Sequence, residues 1–179
     1  MTSFPVPRSR RAAVTAAVLL GLALTGCGNA SPGVVAYVGD DAITQTSLDR
    51  AVAGLSSTLQ EGQTVSSEAV VNAMIQGQLS EQIAADQKIA ITDADRDAVL
   101  KGSPLEPLVS VPDAKAVAYD VADQQIVAQK IGGEQAYLAE IKGRPVKLNP
   151  RYGVLDPDQK LVITGQSGSL SQPAQEPVP

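Results

Sequence analysis

The longest regular apolar pattern in the chain repeats every four residues near its middle. It consists of Val71, Ile75, Leu79 and Ile83. Side chains spaced by four residues lie on one face of an α-helix, so the pattern predicts a helix that starts near Ser66 or Ser67 and runs to about Gln87. Gly77 lies inside this helix, where glycine costs about 1 kcal/mol relative to alanine. Either this glycine permits close packing of a second helix or its presence is incidental.

Four more helices follow from the same kind of reasoning. Their expected bounds are Ser47 to Gln60, Thr92 to about Leu100, Asp113 to Lys130 and Glu134 to Ile141. A threonine followed three residues later by an aspartate predicts an N-terminal helix cap, and this pattern starts at Thr46 and again at Thr92. The segment 102–112 contains three prolines and is expected to be a loop.

Short β-prone segments flank the helices on both sides. Val34–Val38 is β-branched and aromatic and is predicted to be a strand, and after a turn at 39–41 residues 42–43 return beside it. Later strand candidates are 146–148 and 161–163. A strand this short needs partners, so we expect one of the later candidates to pair with the first strand. The predicted fold is therefore mainly α, with four to five helices and a small β-sheet formed by N-terminal and C-terminal strands.

The start of the chain has the composition of a secretory signal peptide. Arginines at positions 8, 10 and 11 precede an uncharged apolar run from Ala12 to Leu24. A basic segment, a short apolar run and small residues at a cleavage site are the features of such a signal. The run is shorter than the ~20 apolar residues that span a bilayer. Residues 1–26 are therefore expected to be a signal peptide that directs export of the protein by either the general secretory or the twin-arginine route.

This segment ends in Leu24-Thr25-Gly26-Cys27, which resembles the bacterial lipobox. The resemblance implies that lipid is attached to the Cys27 sulfur and that the chain is then cleaved before this residue. The small Thr25 and Gly26 give an enzyme access to the backbone, and a thiol is a good nucleophile. The alternative is an ordinary secretory signal with an unrelated cysteine. With lipid on Cys27, the protein is expected on the outer face of the cytoplasmic membrane, with residues 27–33 as a tether.

Charge and residue usage argue against several classes of function. Cleavage before Cys27 would remove three of the 14 basic residues and none of the 19 acidic ones, which changes the net charge from −5 to −8. An acidic protein is poorly suited to bind nucleic acid or anionic lipid headgroups. The sequence has no histidine and a single cysteine, which excludes a Ser-His-Asp triad, a Cys-His pair and an intrachain disulfide, and argues against a zinc site. We therefore predict no enzyme activity, no cofactor and no bound metal.

Three polar segments invite assignment to a binding site but have simpler explanations. The aspartates in 93–97 have the spacing of a calcium loop, yet the glycine and the distal glutamate of an EF-hand are missing. Helix capping is their expected role. Arg151-Tyr152 is expected to be a turn with a packed tyrosine, and 156–158 is expected to be a turn.

A strand, a turn and a helix start follow one another in Val34–Arg50, and Lys88–Asp95 joins the second predicted helix to the third. In this order the segments resemble the N-terminal domain of SurA-like chaperones and of the PrsA and PpiD foldases. The segment Val146–Gly153 is similar to the end of actinobacterial lipoproteins of that group. The resemblance implies a helical chaperone domain over 34–164. The stretch 165–179 is rich in Gly, Ser, Gln and Pro and is expected to be disordered.

Foldases of this group often carry a parvulin prolyl-isomerase domain between their helical parts. This chain has no room for such a domain and lacks the histidines and the glycine-rich signature of a parvulin site. The resemblance therefore implies a chaperone module without isomerase activity.

The expected function is that of a lipid-anchored chaperone-like protein that binds unfolded or maturing exported polypeptides. Leu105 and Leu108, in the proline-rich loop, are candidates to line an apolar groove for such clients. The alternative for these leucines is a role in the core alone. The alternative function is a structural or interaction lipoprotein that docks one specific partner in the cell envelope.

Overall fold

The structure is a computed structural model that describes residues 32–163. The predicted signal peptide, Cys27 with its lipobox, and the predicted C-terminal tail at 165–179 lie outside the described residues.

A three-stranded antiparallel sheet joins the start of the described chain to the segment that follows the last helix. Its strands are β1 (Val34–Val38), β2 (Asp41–Thr44) and β3 (Val146–Leu148), in the order β2-β1-β3. Gly39, with φ of 60°, forms the turn between the first two strands in a conformation that favours glycine. The structure confirms the predicted β1 and its return strand, and of the two later candidates it is 146–148 that pairs with β1.

Within residues 32–163, five α-helices make up most of the fold, so the predicted fold class is confirmed. They are α1 (Gln45–Ser56), α2 (Ser67–Asp86), α3 (Asp93–Leu100), α4 (Pro112–Lys130) and α5 (Glu134–Lys142). The predicted bounds of α2 to α5 agree with these to within one or two residues. The segment predicted as a loop at 102–112 contains a 3-10 helix, Glu106–Ser110.

The predicted start and end of α1 were wrong. The helix is capped by Thr44 rather than Thr46: the backbone N–H of Ser47 donates to Thr44 Oγ1, and the N–H of Thr44 donates to Ser47 Oγ, both at 3.1 Å. Thr44 ends β2 in an extended conformation, so the helix begins as soon as the strand stops. The helix ends at Ser56 instead of Gln60.

A second, two-stranded sheet was not predicted. The candidate strand at 161–163 does not reach β1; β5 (Val162–Ile163) pairs instead with β4 (Val154–Leu155). The Asp156 N–H donates to the Leu161 carbonyl at 2.7 Å and closes a hairpin between them. Asn72 on α2 fixes this hairpin, because its Oδ1 accepts from the N–H of Val162.

The core lies between the three-stranded sheet and the helices, with α2 and α4 at its centre. α4 packs closely on two other helices, and each approach occurs at a glycine. A β-carbon at Gly54 on α1 would lie 2.7 Å from the backbone nitrogen of Ala114, and one at Gly77 on α2 would overlap the carboxyl group of Asp120. Gly77 therefore permits close helix packing, the first of the two interpretations. None of the helices within residues 32–163 is both long enough and apolar enough to span a membrane.

Candidate binding cleft

An open cleft with a volume of about 310 Å³ lies where the end of α1 faces the proline-rich segment. Its lining residues are Leu55, Thr58, Leu59, Thr64, Val65, Pro104, Leu105, Pro107 and Leu108. The two leucines predicted to line a groove, Leu105 and Leu108, both belong to this lining. The cleft is therefore the candidate functional site of the described chain.

One wall of the cleft exists because α1 stops early. Hydroxyl groups of the residues that follow bond to the last helix carbonyls: Ser57 Oγ donates to Gly54 O and Thr58 Oγ1 donates to Leu55 O, each at 2.7 Å. Side-chain bonds of this kind compete with continuation of the helix. A turn at 60–63 then reverses the chain, with Gly62 at φ of 88°, and brings Thr64 and Val65 back to the cleft.

The opposite wall is the 3-10 segment that follows α3. Prolines at 104 and 107 restrict its backbone, and the Glu106 carboxylate accepts from the N–H of Gly102 at 2.7 Å. Leu108 is buried and holds this wall on α4, where it belongs to a small apolar cluster. The other buried members of that cluster are Leu100, Ala114, Ala118 and Ala122.

The lining of the cleft is mainly apolar and carries no charge. None of its nine lining residues carries an ionisable group, so the lining supplies neither a general acid nor a general base. Leu59 is 37% exposed, and it is one of two large hydrophobic residues that the structure leaves exposed within 32–163; the other, Val154, lies outside the cleft. An apolar side chain that entered the cleft would cover Leu59 and remove apolar surface from water.

The aspartates of 93–97 have structural roles. Asp95 accepts from the Thr92 N–H at 2.8 Å, which completes the predicted cap of α3, and hydrogen bonds from Thr92 lower the pKa of Asp95. Asp93 pairs with Arg96 at 3.0 Å. Asp97 accepts from the Tyr119 hydroxyl at 2.8 Å. Within the described residues, no three side chains of the types that bind metals are grouped to hold an ion.

The two predicted turns near the end of the described chain are confirmed. Arg151 is exposed in a 3-10 helix, Pro150–Tyr152, and Tyr152 packs against the core. In the turn at 156–158, Asp156 Oδ1 accepts from the N–H groups of Asp158 and Gln159 at 2.9 and 2.6 Å.

Sequence reasoning missed a group of charged residues between α2, α3 and α4. Arg96 on α3 and Asp123 on α4 form a largely buried ion pair, which raises the pKa of Arg96. Asp120, one turn before Asp123, is half-buried, and its side chain has no hydrogen bond or ion pair within the part of the chain described. Partial burial of the carboxyl group is the main cause that raises the pKa of Asp120, which reaches about 8. The negative charges of Glu81 and Asp123 also raise this pKa, and the positive charge of Arg96 lowers it by a smaller amount.

A second polar group inside the core was also missed. Tyr137 on α5 is buried, and its hydroxyl lies 2.9 Å from Ser80 Oγ and donates to Gln76 within 3.2 Å. Burial raises the pKa of Tyr137 to about 12. Gln76 also donates to the carbonyls of Gln159 and Lys160, so the network ties α5 and the second sheet to α2. The sequence signal was a row of polar residues four apart along α2, at 72, 76 and 80.

No protein-family model, curated protein or solved structure matches this chain. The resemblance to SurA-like chaperones and related foldases therefore stays a prediction from sequence.

Proposed function

We propose that this protein is a lipid-anchored chaperone-like module on the outer face of the cytoplasmic membrane. In this proposal lipid on Cys27 anchors it, and extended apolar segments of unfolded exported polypeptides bind in the cleft, without isomerase activity. The observation that carries the proposal is the open apolar cleft, which leaves Leu59 exposed to solvent.

The position of the cleft relative to the predicted tether supports this proposal. The backbone N–H of Gln45, the first residue of α1, donates to the carbonyl of Gly33 at 2.8 Å, so α1 begins beside the end of the tether. The cleft lies at the other end of the same helix. Twelve residues of α-helix span about 18 Å, which separates the binding surface from the anchored end of the domain.

The size and chemistry of the cleft fit weak, reversible binding. A volume of about 310 Å³ is at the small end of ligand pockets, and it suits one or two apolar side chains. Each buried CH₂ contributes about 0.8 kcal/mol, from which the loss of motion on binding must be subtracted. A lining without charges does not select a particular polar group. Apolar segments of many different client sequences therefore fit the cleft.

A light-scattering assay tests client binding. Residues 28–179, without lipid, are added at increasing ratio to a chemically denatured, aggregation-prone protein. We expect dose-dependent suppression of aggregation that an equally acidic control protein does not produce. No suppression at a large excess would overturn general chaperone activity and favour docking of one envelope partner, which crosslinking in cells would then identify.

Two matched variants assign the activity to the cleft. Leu59→Ser removes exposed apolar surface inside the cleft, and Val154→Ser removes a similarly exposed side chain, 44% against 37%, outside it. We expect several-fold weaker suppression for Leu59→Ser and wild-type suppression for Val154→Ser. Equal loss in both variants would mean that general surface hydrophobicity, not the cleft, holds the client.

The anchor is tested separately by Cys27→Ser. We expect wild-type protein in the membrane fraction and labelled by a palmitate analogue, and the variant unlabelled and largely lost from that fraction. Membrane association that survives the substitution, without label in the wild type, would contradict the lipid anchor.

A further inference from the structure

Asp120 occupies an unusual position in the contact between α2 and α4. Its carboxyl group fills the space that the missing side chain of Gly77 leaves on α2, so that even a β-carbon at Gly77 would overlap it. A glycine inside a helix is less favourable than alanine, and a half-buried carboxylate without a hydrogen-bond partner is also unfavourable. Gly77 and Asp120, each unfavourable at its position, therefore contact each other, and they do so between α2 and α4, the most extensive helix pairing of the described residues.

The charges that face Asp120 oppose its ionisation. Glu81 faces it from α2 and Asp123 from α4, while Arg96 is the cation that faces it from α3. Both carboxylate oxygens of Asp123 already accept hydrogen bonds from Arg96, and Arg96 also pairs with Asp93. No hydrogen bond of Arg96 within 32–163 goes to Asp120, so an ionised Asp120 would add a third negative charge around a cation engaged elsewhere.

We propose that Asp120 is a proton-operated latch between α2 and α4: the neutral carboxyl group packs against Gly77 and holds the helices together, and its ionised form weakens their contact. The raised pKa of Asp120, about 8, agrees with this geometry. An exported domain is exposed directly to the pH outside the cell, so changes in external pH near the pKa of Asp120 would change the strength of the contact between α2 and α4. The proposal does not depend on client binding in the cleft.

The direction of the pH dependence follows from proton binding. Between about pH 4, where an unfolded aspartate loses its proton, and the folded pKa of about 8, the folded state holds a proton on Asp120 that the unfolded state has released. Stability from this group therefore falls as pH rises through that window, with the unfolding constant rising up to about tenfold per pH unit. Below the window and above it, the group adds no pH dependence.

The test compares the full chain, purified in detergent micelles, with Asp120→Asn. Urea unfolding is measured from about pH 5 to about pH 9, so that other titrating groups cancel in the comparison. We expect the ratio of wild-type to variant unfolding constants to rise by up to about tenfold per pH unit up to about pH 8 and then to level off. The control is Asp113→Asn, which changes an exposed aspartate at the start of α4. Its unfolding constant should show the same pH dependence as that of the wild type.

Two further measurements do not depend on the stability of the variant. Carbon-13 NMR of the wild-type aspartate carboxyl groups should show one that titrates several pH units above the rest, and hydrogen exchange should show lower protection of α2 and α4 at pH above 8 than at pH 6, after correction for intrinsic rates. Equal pH slopes for wild type and Asp120→Asn, no aspartate carboxyl group that titrates above the ordinary range, or unchanged protection of both helices would overturn the proposal.

Discussion

Arg96 and Asp123 join α3 to α4 through two parallel hydrogen bonds. Nε of Arg96 donates to Oδ1 of Asp123 at 2.7 Å, and Nη2 donates to Oδ2 at 2.9 Å. The Asp123 side chain is only 4% exposed and that of Arg96 19%. In such a pair each charge compensates the other, so removal of one partner leaves a buried charge without compensation.

We predict that Arg96→Met lowers the free energy of unfolding by about 3 kcal/mol. The loss arises from the uncompensated Asp123 carboxylate more than from missing packing, because methionine keeps much of the apolar stem. Urea denaturation followed by circular dichroism measures the change.

Two controls separate this cause from a general effect of arginine loss. Arg50→Met, on the exposed side of α1, should change stability by less than about 0.5 kcal/mol. The double variant Arg96→Met/Asp123→Leu should recover much of the loss, since no charge is then left buried. If the double variant is less stable than Arg96→Met, the charge explanation is wrong.

A second prediction concerns the close approach of α1 to α4 at Gly54. A β-carbon there would lie 2.7 Å from backbone atoms of Asp113 and Ala114, and backbone atoms cannot move aside as a flexible side chain can. We expect Gly54→Ala to lower the free energy of unfolding by about 1–2 kcal/mol, because overpacking outweighs the better helix propensity of alanine.

Gly143→Ala is the matched control for this substitution. Gly143 follows α5 with a right-handed helical conformation, and a β-carbon there meets no atom within 4 Å. Thermal unfolding should show wild-type stability for Gly143→Ala and a lower Tm for Gly54→Ala. Equal Tm values for the two variants would contradict the close contact.

The cap of α1 offers a direct test of the structure against the sequence-based prediction. Thr44→Ala removes the hydroxyl that accepts from the Ser47 N–H and should cost about 1 kcal/mol. Thr46→Ala, at the exposed position first predicted as the cap, should change the stability by less than about 0.5 kcal/mol. Chemical denaturation of both variants decides between the two threonines, and a larger loss for Thr46→Ala would show that the helix starts later.

The buried hydroxyl of Tyr137 supports a further prediction. Tyr137→Phe leaves Ser80 and Gln76 without the hydroxyl partner that each now has, and we expect a loss of about 1–2 kcal/mol in urea denaturation. Tyr152→Phe is the control, since the Tyr152 hydroxyl makes no hydrogen bond to another residue within 32–163. Comparable losses in both variants would contradict a specific contribution of the Tyr137 hydroxyl network, because both variants keep the aromatic ring.

Local patterns were enough to place most of the helices. The repeat through α2 and the cap at Thr92 depend on residues three or four positions apart, and such neighbours interact whatever the rest of the chain does. The cleft was predicted only in part: Leu105 and Leu108 were found from their loop. The early end of α1, which exposes Leu59 opposite them, depends on hydroxyl-to-carbonyl bonds at Ser57 and Thr58 that the apolar pattern does not report.

The mainly helical character of the chain, the positions of α2 to α5 and the strands β1 and β3 follow from local sequence signals, because periodicity, caps and β-propensity act over a few residues. The pairing of β5 with β4 could not be predicted, because 146–148 and 161–163 were equally suitable partners for β1 and the folded path of the chain selects between them. The same holds for Asp120 and Asp123. A carboxylate on an amphipathic helix is expected to face water. Asp123 is buried only because Arg96 of α3 packs on it, and Asp120 is half-buried only because it lies against Gly77 of α2.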